Sequence, residues 1–451
     1  GFRDKEFKDF WDDPQLIADF KKTIDYVLNR TNTITGVKYK DDKSILCWET
    51  GNELQSTPEW TSEIVKYIKS IDKNHLVMDG YHSNRLREIS ITDPNIDIVT
   101  THHYESTADE LLKNVAKNLH DLKGKKPYVL GEFGFLSTTA MTKILDKVIE
   151  TDIAGALIWS LRHHRREGGF YWHSEPLGGG LYKAYHFPGF ASGDEYDETG
   201  VINMMRATAY EIQEKPLPQL PVPKAPVLLP ISDVAKINWQ GSVGASAYDI
   251  QRSKNKTGPW ETVGFNVSDA KYQYTDLFQD ETAQIGEDYF YRVIAKNSSG
   301  QSNPSNVMGP VKVESLALID HMNYFGKFYQ SRGNIQIKTD NDRIFKEDMF
   351  RIQGQKGHEL VYYVDGNLIS GQVFTFSQKT DAVLTFFVSH DGENYMPIKS
   401  EIQNYSFGKG DYSYQNPILY TLDFADNSQK YLKIKFNDTA QLSRIEFKYG
   451  K

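Results

Sequence analysis

Through the first 160 residues, short apolar runs that stop abruptly at polar residues alternate with longer stretches whose apolar positions recur every three to four residues. The run Ile45-Leu46-Cys47-Trp48 is too short for a helix and is bounded by charges before it and Gly51 after it. It reads as a strand covered on both faces, with Asn52 and Glu53 at its C-terminal end. A second run, Tyr128-Val129-Leu130, ends in the same way at Glu132. Between such runs lie helical patterns. Asp13 and Pro14 supply an N-cap and an early proline ahead of Leu16, Ile17, Phe20, Ile24, Val27 and Leu28, predicting a helix over 13–29. Further helices are predicted over 58–70, 84–89 (a short piece), 108–122, 139–150 and 199–213, and strands over 75–80, 96–101 and 154–160. Five strands alternating with helices mean a parallel sheet, doubly wound or closed as a barrel, with ligands at the C-terminal strand ends.

Beyond residue 160 the pattern changes twice. Residues 162–191 form a loop dense in glycine, histidine and aromatics, directly after the last predicted strand and so expected to wall the ligand cleft. Six prolines then fall between Lys215 and Pro230, which predicts a stiff, extended connector over 216–230 and a domain boundary. From there the periodicity is two. Ala247 to Arg252, Asp288 to Ala295, Ala382 to Val388 and Tyr431 to Phe436 all read as strands. Residues 225–313, with Trp239 early and Tyr291-Arg292-Val293 late, resemble a fibronectin type III sandwich. Residues 314–451 resemble the galactose-binding-like jelly roll of many carbohydrate-binding modules. The first would be a spacer, and the second either a sugar-binding domain or a structural appendage.

Composition narrows the classes. The 451 residues carry a formal charge of −8, which argues against a nucleic-acid partner or an anionic membrane surface, whereas a neutral polysaccharide needs no charge match. The 27 Tyr, 24 Phe and 7 Trp suit β-rich domains and suit stacking on sugar faces. The single cysteine, Cys47, allows no intrachain disulfide and is expected to be a small buried core residue. No run of 18 apolar residues is present to span a membrane. The start, Gly1-Phe2-Arg3-Asp4-Lys5, does not read as a signal peptide, so export to the cell surface or beyond would need a signal outside this sequence.

Two glutamates on two strand ends are the minimum equipment for glycoside hydrolysis. Trp48-Glu49-Thr50-Gly51-Asn52-Glu53, Thr101-His102-His103-Tyr104, Gly131-Glu132-Phe133-Gly134 and Leu157-Ile158-Trp159-Ser160-Leu161 occur in an order and spacing that resembles glycoside hydrolase family 5, most of all its β-mannanase-like members. Trp11-Asp12-Asp13-Pro14 and the stretch from Gly169 to Pro176 add to the resemblance. It implies a (β/α)8 barrel in residues 1–215, whose fourth to eighth strands are the five found here. It implies Glu53 as general acid/base, Glu132 as nucleophile, Asn52 on the sugar 2-hydroxyl, His102 and Tyr104 as the family's His-x-Tyr, and Trp159 as a stacking floor. Tyr171, Trp172 and His173 would be further sugar contacts, and His103, between His102 and Tyr104, should point away. No cofactor and no metal are implied. The substrate would be β-1,4-mannan, glucomannan or galactomannan, with cellulose-like β-glucan as the alternative. Two other readings are a metal-dependent hydrolase using His102, His103, His163 and His164, and a non-catalytic polysaccharide-binding protein. Strands one to three of such a barrel have no counterpart here, so they are expected from residues before Gly1 or from another chain.

Overall fold

The computed structural model describes residues 5–151, 153–172, 185–190, 197–271, 274–346, 348–379, 382–405, 414–424 and 428–451. The chain divides into two compact units, one of Gly1–Ser160 with Met204–Lys215 and one of Leu161–Asn203 with Pro216–Lys451. The stretch 161–203 therefore falls in the second unit.

In the first unit, five strands, β1 (Cys47–Glu49), β2 (Leu76–Met78), β3 (Val99–His103), β4 (Tyr128–Phe133) and β5 (Ile153–Ile158), alternate with helices. The helices are α1 (Pro14–Asn29), α2 (Pro58–Ile71), α3 (Glu88–Thr92), α4 (Ala108–Leu122) and α5 (Thr138–Glu150). All strand pairings are parallel and follow chain order: β1 with β2, β3 with β4 and β4 with β5, while a Met78–Ile98 bridge links β2 to the approach of β3. Strand order never reverses, so this arc has no doubly wound switch point.

Side-chain caps start four of the helices where the pattern placed them. Asp13 accepts from the Gln15 and Leu16 amides, Thr57 from Trp60, Thr107 from Glu110 and Ser137 from Ala140. The exception is α3, predicted over 84–89 but found at Glu88–Thr92. Residues 84–87 are held as a loop instead: the Asn84 side chain donates to Glu105, its carbonyl accepts from Asn118, and Arg87 donates to the Ser56 carbonyl. Under α1 and α2 the apolar stripes close a core in which Trp60 stacks on Phe20 at 5.5 Å and meets Trp11 edge-on at 5.1 Å.

Two expectations for β1 are corrected. Among the described residues the strand pairs with β2 alone, and it is not covered on both faces: Leu46, just before it, is 71% exposed. Cys47 is half-buried rather than a core residue for the same reason, and desolvation on its covered side raises its thiol pKa. At the other end β5 pairs, among the described residues, with β4 alone, and its Leu157 is 59% exposed.

In the second unit Leu161–Arg162 pairs in parallel with Tyr185–His186, and the strands beyond residue 226 are antiparallel. Strands Glu261–Val267, Ala247–Ser253, Asp288–Asn297, Gly300–Gln301 and Met308–Lys312 form one sheet, and Val227–Leu228 pairs with Trp239–Gln240. Trp239, Tyr248, Ile250, Tyr291 and Val293 fill the core between them. In residues 314–451 a seven-stranded and a five-stranded sheet share one apolar core, to which Tyr420 and Phe447 contribute from the first and Leu360 and Ile434 from the second. The proline-rich stretch, expected as a stiff, extended connector, is tied to its neighbours by hydrogen bonds. The carbonyls of Leu220, Pro221 and Lys224 accept from Ser299, Asn297 and Ser242, and Pro223 and Pro226 are buried. A proline has no amide donor to pair in a ladder, and here side chains from neighbouring segments satisfy the carbonyls of the stretch.

Among the described residues, no helix is long and apolar enough to cross a membrane.

Candidate active site

The C-terminal ends of β1, β3 and β4 bring three predicted residues together. One donor atom each from Glu53, His102 and Glu132 lies within 4.8 Å of the others. Glu53 sits just past β1, where the chain leaves the strand in a left-handed conformation (φ 51°) and then rejoins it through a Leu54–Tyr81 bridge. A non-glycine residue rarely adopts that conformation, and doing so stores local strain. The bend is permitted because Gly80 has no side chain: a Cβ there would lie 1.8 Å from the Gly51 carbonyl oxygen.

His102, at the end of β3, is buried, and its Nδ1 lies 2.9 Å from Glu53 Oε1 and 3.4 Å from Glu132 Oε2. The ring can lie flat against β4 because the facing residue is Gly131, whose Cβ would stand 2.2 Å from Thr100 Oγ1 and 3.1 Å from the imidazole. Glu132 is the more enclosed carboxylate, its side chain 12% exposed against 32% for Glu53. The Tyr104 hydroxyl donates to Glu132 Oε2, and its ring stacks on Phe135 with centroids 4.7 Å apart.

Of the remaining predicted residues, Asn52 is exposed beside Glu53. Trp159, past β5, is partly buried; its amide donates to the Phe133 carbonyl at 2.9 Å, which ties it to the end of β4. Tyr171 and Trp172 belong to the second unit, where Tyr171 meets His163, Trp172 meets His186, and the Tyr274 hydroxyl bonds the Trp172 backbone. His173 lies outside the described residues.

Several further residues support the site. His103 does turn away, as alternation along a strand requires, into a buried network: Nδ1 bonds Glu105 at 3.2 Å and Nε2 bonds Thr101 Oγ1 at 2.7 Å. Burial alone would push the Glu105 carboxyl up, but hydrogen bonds from His103 and Asn114 outweigh it and hold the pKa at about 2. Asp79, buried after β2, is paired to Arg87 at 2.7 Å and accepts from Ser90 at 2.6 Å. His82 Nε2 stands 3.7 Å from Glu53 Oε1.

Glu49 closes β1 with one face open to water. The protein atoms around it nevertheless act as burial and, with the charges of Glu132 and Asp79, raise its pKa to about 7 against the opposing charge of His102. The alternation that hid this residue is real: it is a strand carboxylate inside the quoted motif, and only the convergence of three strands surrounds it with charge.

Chemically, the arrangement offers two carboxylates facing each other at short range, one held by a tyrosine hydroxyl and one by an imidazole. The same three donors, Glu53, His102 and Glu132, also have the spacing to hold a divalent cation. His163 and His164 of the predicted histidine cluster belong to the second unit, where His164 bonds Asp269 at 3.1 Å.

Residues 2–153 match the family described as "GH family 5 beta-mannosidase-like". The chain is 28% identical over 208 residues to mannan endo-1,4-beta-mannosidase 1 of Solanum lycopersicum, covering 35% of this chain and 52% of that protein. It is 30% identical over 208 residues to mannan endo-1,4-beta-mannosidase 7 of Arabidopsis thaliana, covering 36% and 47%. The chain thus spans about half the length of these relatives. Among solved structures, an endo-1,4-beta-mannanase from Rhizomucor miehei is 26% identical, covering 45% of this chain and 64% of that one at a TM-score of 0.35.

Proposed function

We propose that this chain carries the catalytic pair of a retaining glycoside hydrolase acting on β-1,4-linked mannan, glucomannan or galactomannan. The observation that carries the reading is the approach of Glu53 and Glu132 to within 4.8 Å. Retaining enzymes hold their two carboxyl groups about 5–5.5 Å apart, whereas inverting ones leave about 6.5–9.5 Å for a water.

In this reading Glu132 is the nucleophile. The Tyr104 hydroxyl holds one of its oxygens, leaving the other to attack the anomeric carbon. Glu53 gives its proton to the departing glycosidic oxygen. It then takes a proton from the water that releases the sugar from Glu132, so the carboxyl ends each cycle protonated as it began. His102, protonated on Nδ1, donates to Glu53 and fixes its direction across the bond. Asn52 would meet the sugar 2-hydroxyl and Trp159 would stack beneath the ring, assignments that rest on the resemblance of the motifs. The family match and the mannan-named relatives favour mannan over β-glucan as the substrate.

The five-stranded arc would be part of a (β/α)8 barrel. Among the described residues its two outer strands each pair on one side, which supports further strands from the same protein or another chain. The two antiparallel parts of the second unit would be a fibronectin type III-like spacer and a galactose-binding-like sandwich.

A 2-fluoro-mannoside trap tests the core of the proposal in the natural full-length protein. The sugar mass should appear on the peptide containing Glu132, and digestion of a mannan and β-glucan panel should release products from the mannans first. Label on any other residue would overturn the nucleophile assignment.

A further inference from the structure

Within the second unit, a cavity of about 480 Å³ opens between the sheet that carries Glu261–Val267 and the strands of residues 314–451. That volume is in the range of small-molecule sites. Its walls are polar and charged, and four of the charges are matched to one another. Lys327 Nζ stands 2.9 Å from Glu281 Oε1, Arg444 Nε 2.7 Å from Glu446 Oε1, and Lys236 Nζ, just behind, 3.2 Å from Glu446 Oε2. A charged ligand would have to compete with these pairs. A neutral ligand rich in hydroxyls would not, since each hydroxyl both donates and accepts and ionised side chains make the stronger bonds.

His321 faces the same cavity. Burial, helped by the charge of Arg444, pushes its pKa down to about 4, so at neutral pH the imidazole offers one donor and one acceptor nitrogen. Burial alone would raise the Glu446 carboxyl, but Arg444 and Lys236 outweigh it, and the group stays an ionised acceptor. At the rim, Phe265 is 71% exposed and Tyr324 is 48% exposed. Large aromatic faces left open beside a polar cleft suit the C–H faces of a pyranose ring.

We infer that this cavity binds a neutral saccharide of one or two units, independently of the Glu53–Glu132 pair in the first unit. Paired charges supply the hydroxyl contacts, and Phe265 and Tyr324 supply the stacking.

Calorimetric titration of the whole chain tests this, with Glu132→Gln present in every sample to prevent turnover. The ligands are mannose, galactose, glucose and mannobiose, with inorganic phosphate as the charged control. At least one sugar should saturate a single site and phosphate should not. Phe265→Ala and Tyr324→Ala, both at exposed positions, should each weaken that binding about five-fold or more without changing the melting temperature. Lys327→Met, inside the cavity, gives the same reading if either rim variant fails to fold. In the chain with Glu132 intact, the rim substitutions should leave hydrolysis of a short aryl mannoside unchanged, which separates this site from the catalytic proposal. Sugar binding that all three variants leave untouched, no sugar binding at all, or tighter binding of phosphate than of any sugar would overturn the inference.

Discussion

Tyr104 and Glu49 act on the same carboxylate from opposite directions. The tyrosine donates to a Glu132 oxygen, and a hydrogen bond to a charged group is worth about 1.5–3 kcal/mol. Tyr104→Phe should therefore lower kcat by about 10- to 100-fold with little change in KM. An unchanged kcat would mean that the hydroxyl does not support the nucleophile. Glu49, with its pKa raised to about 7, is neutral below that pH and places another negative charge near Glu132 above it. The sign follows from linkage: a carboxyl raised on folding favours the folded state below its unfolded value of about 4.3, and that contribution fades as pH rises to about 7. Water on the exposed face of Glu49 screens the charges and keeps the effect small. Glu49→Gln should flatten the decline of both melting temperature and kcat/KM between about pH 4.5 and 7, read from paired pH series. Glu53 and Glu132 were legible in the sequence because each ends an apolar run. Glu49 and Glu105 were not, since nothing local distinguishes a strand carboxylate that meets other charges from one that meets water.

At the scale of elements, the helices followed their local signals closely, because a cap and an apolar stripe act within a few residues. The short α3 did not, since Asn84 and Arg87 are committed to partners on other elements. Packing between β3 and β4 depends on Gly131 in a way that periodicity cannot reveal. Gly131→Ala would drive a methyl group into Thr100 Oγ1 and against the His102 ring, an overpacking of the kind that costs about 1–3 kcal/mol. The melting temperature should fall, and activity should fall further than stability explains, because His102 is pushed off Glu53. Adding Thr100→Ala, which removes the atom at 2.2 Å, should recover most of the stability and less of the activity. Full additivity of the two substitutions would sink this account of the strand contact.

For the molecule as a whole, the open edges of β1 and β5 leave Leu46 and Leu157 in water. Unpaired edges with exposed leucines are sites for pairing with other chains. The chain on its own should self-associate at micromolar concentration, and Leu46→Glu together with Leu157→Glu should reduce association without lowering the melting temperature. Sedimentation velocity reads the first quantity and calorimetry the second. In a full-length protein whose edges are paired, the same substitutions should instead destabilise, by burying a charge.

The sequence by itself determined the local facts: which segments are strands and helices, which carboxylates end a strand, and where alternation of period two takes over. These depend on interactions within about one turn of helix or one run of strand. Tertiary structure decided what lies between segments. It set the approach of Glu53 to Glu132, the placing of His102 beside both, the pairing of Asp79 with Arg87 and the network beneath His103. It also bound the proline-rich stretch to its neighbours and left β1 half bare. Each of these depends on the register of strands far apart in the chain and on charges acting across space, and a linear pattern carries neither.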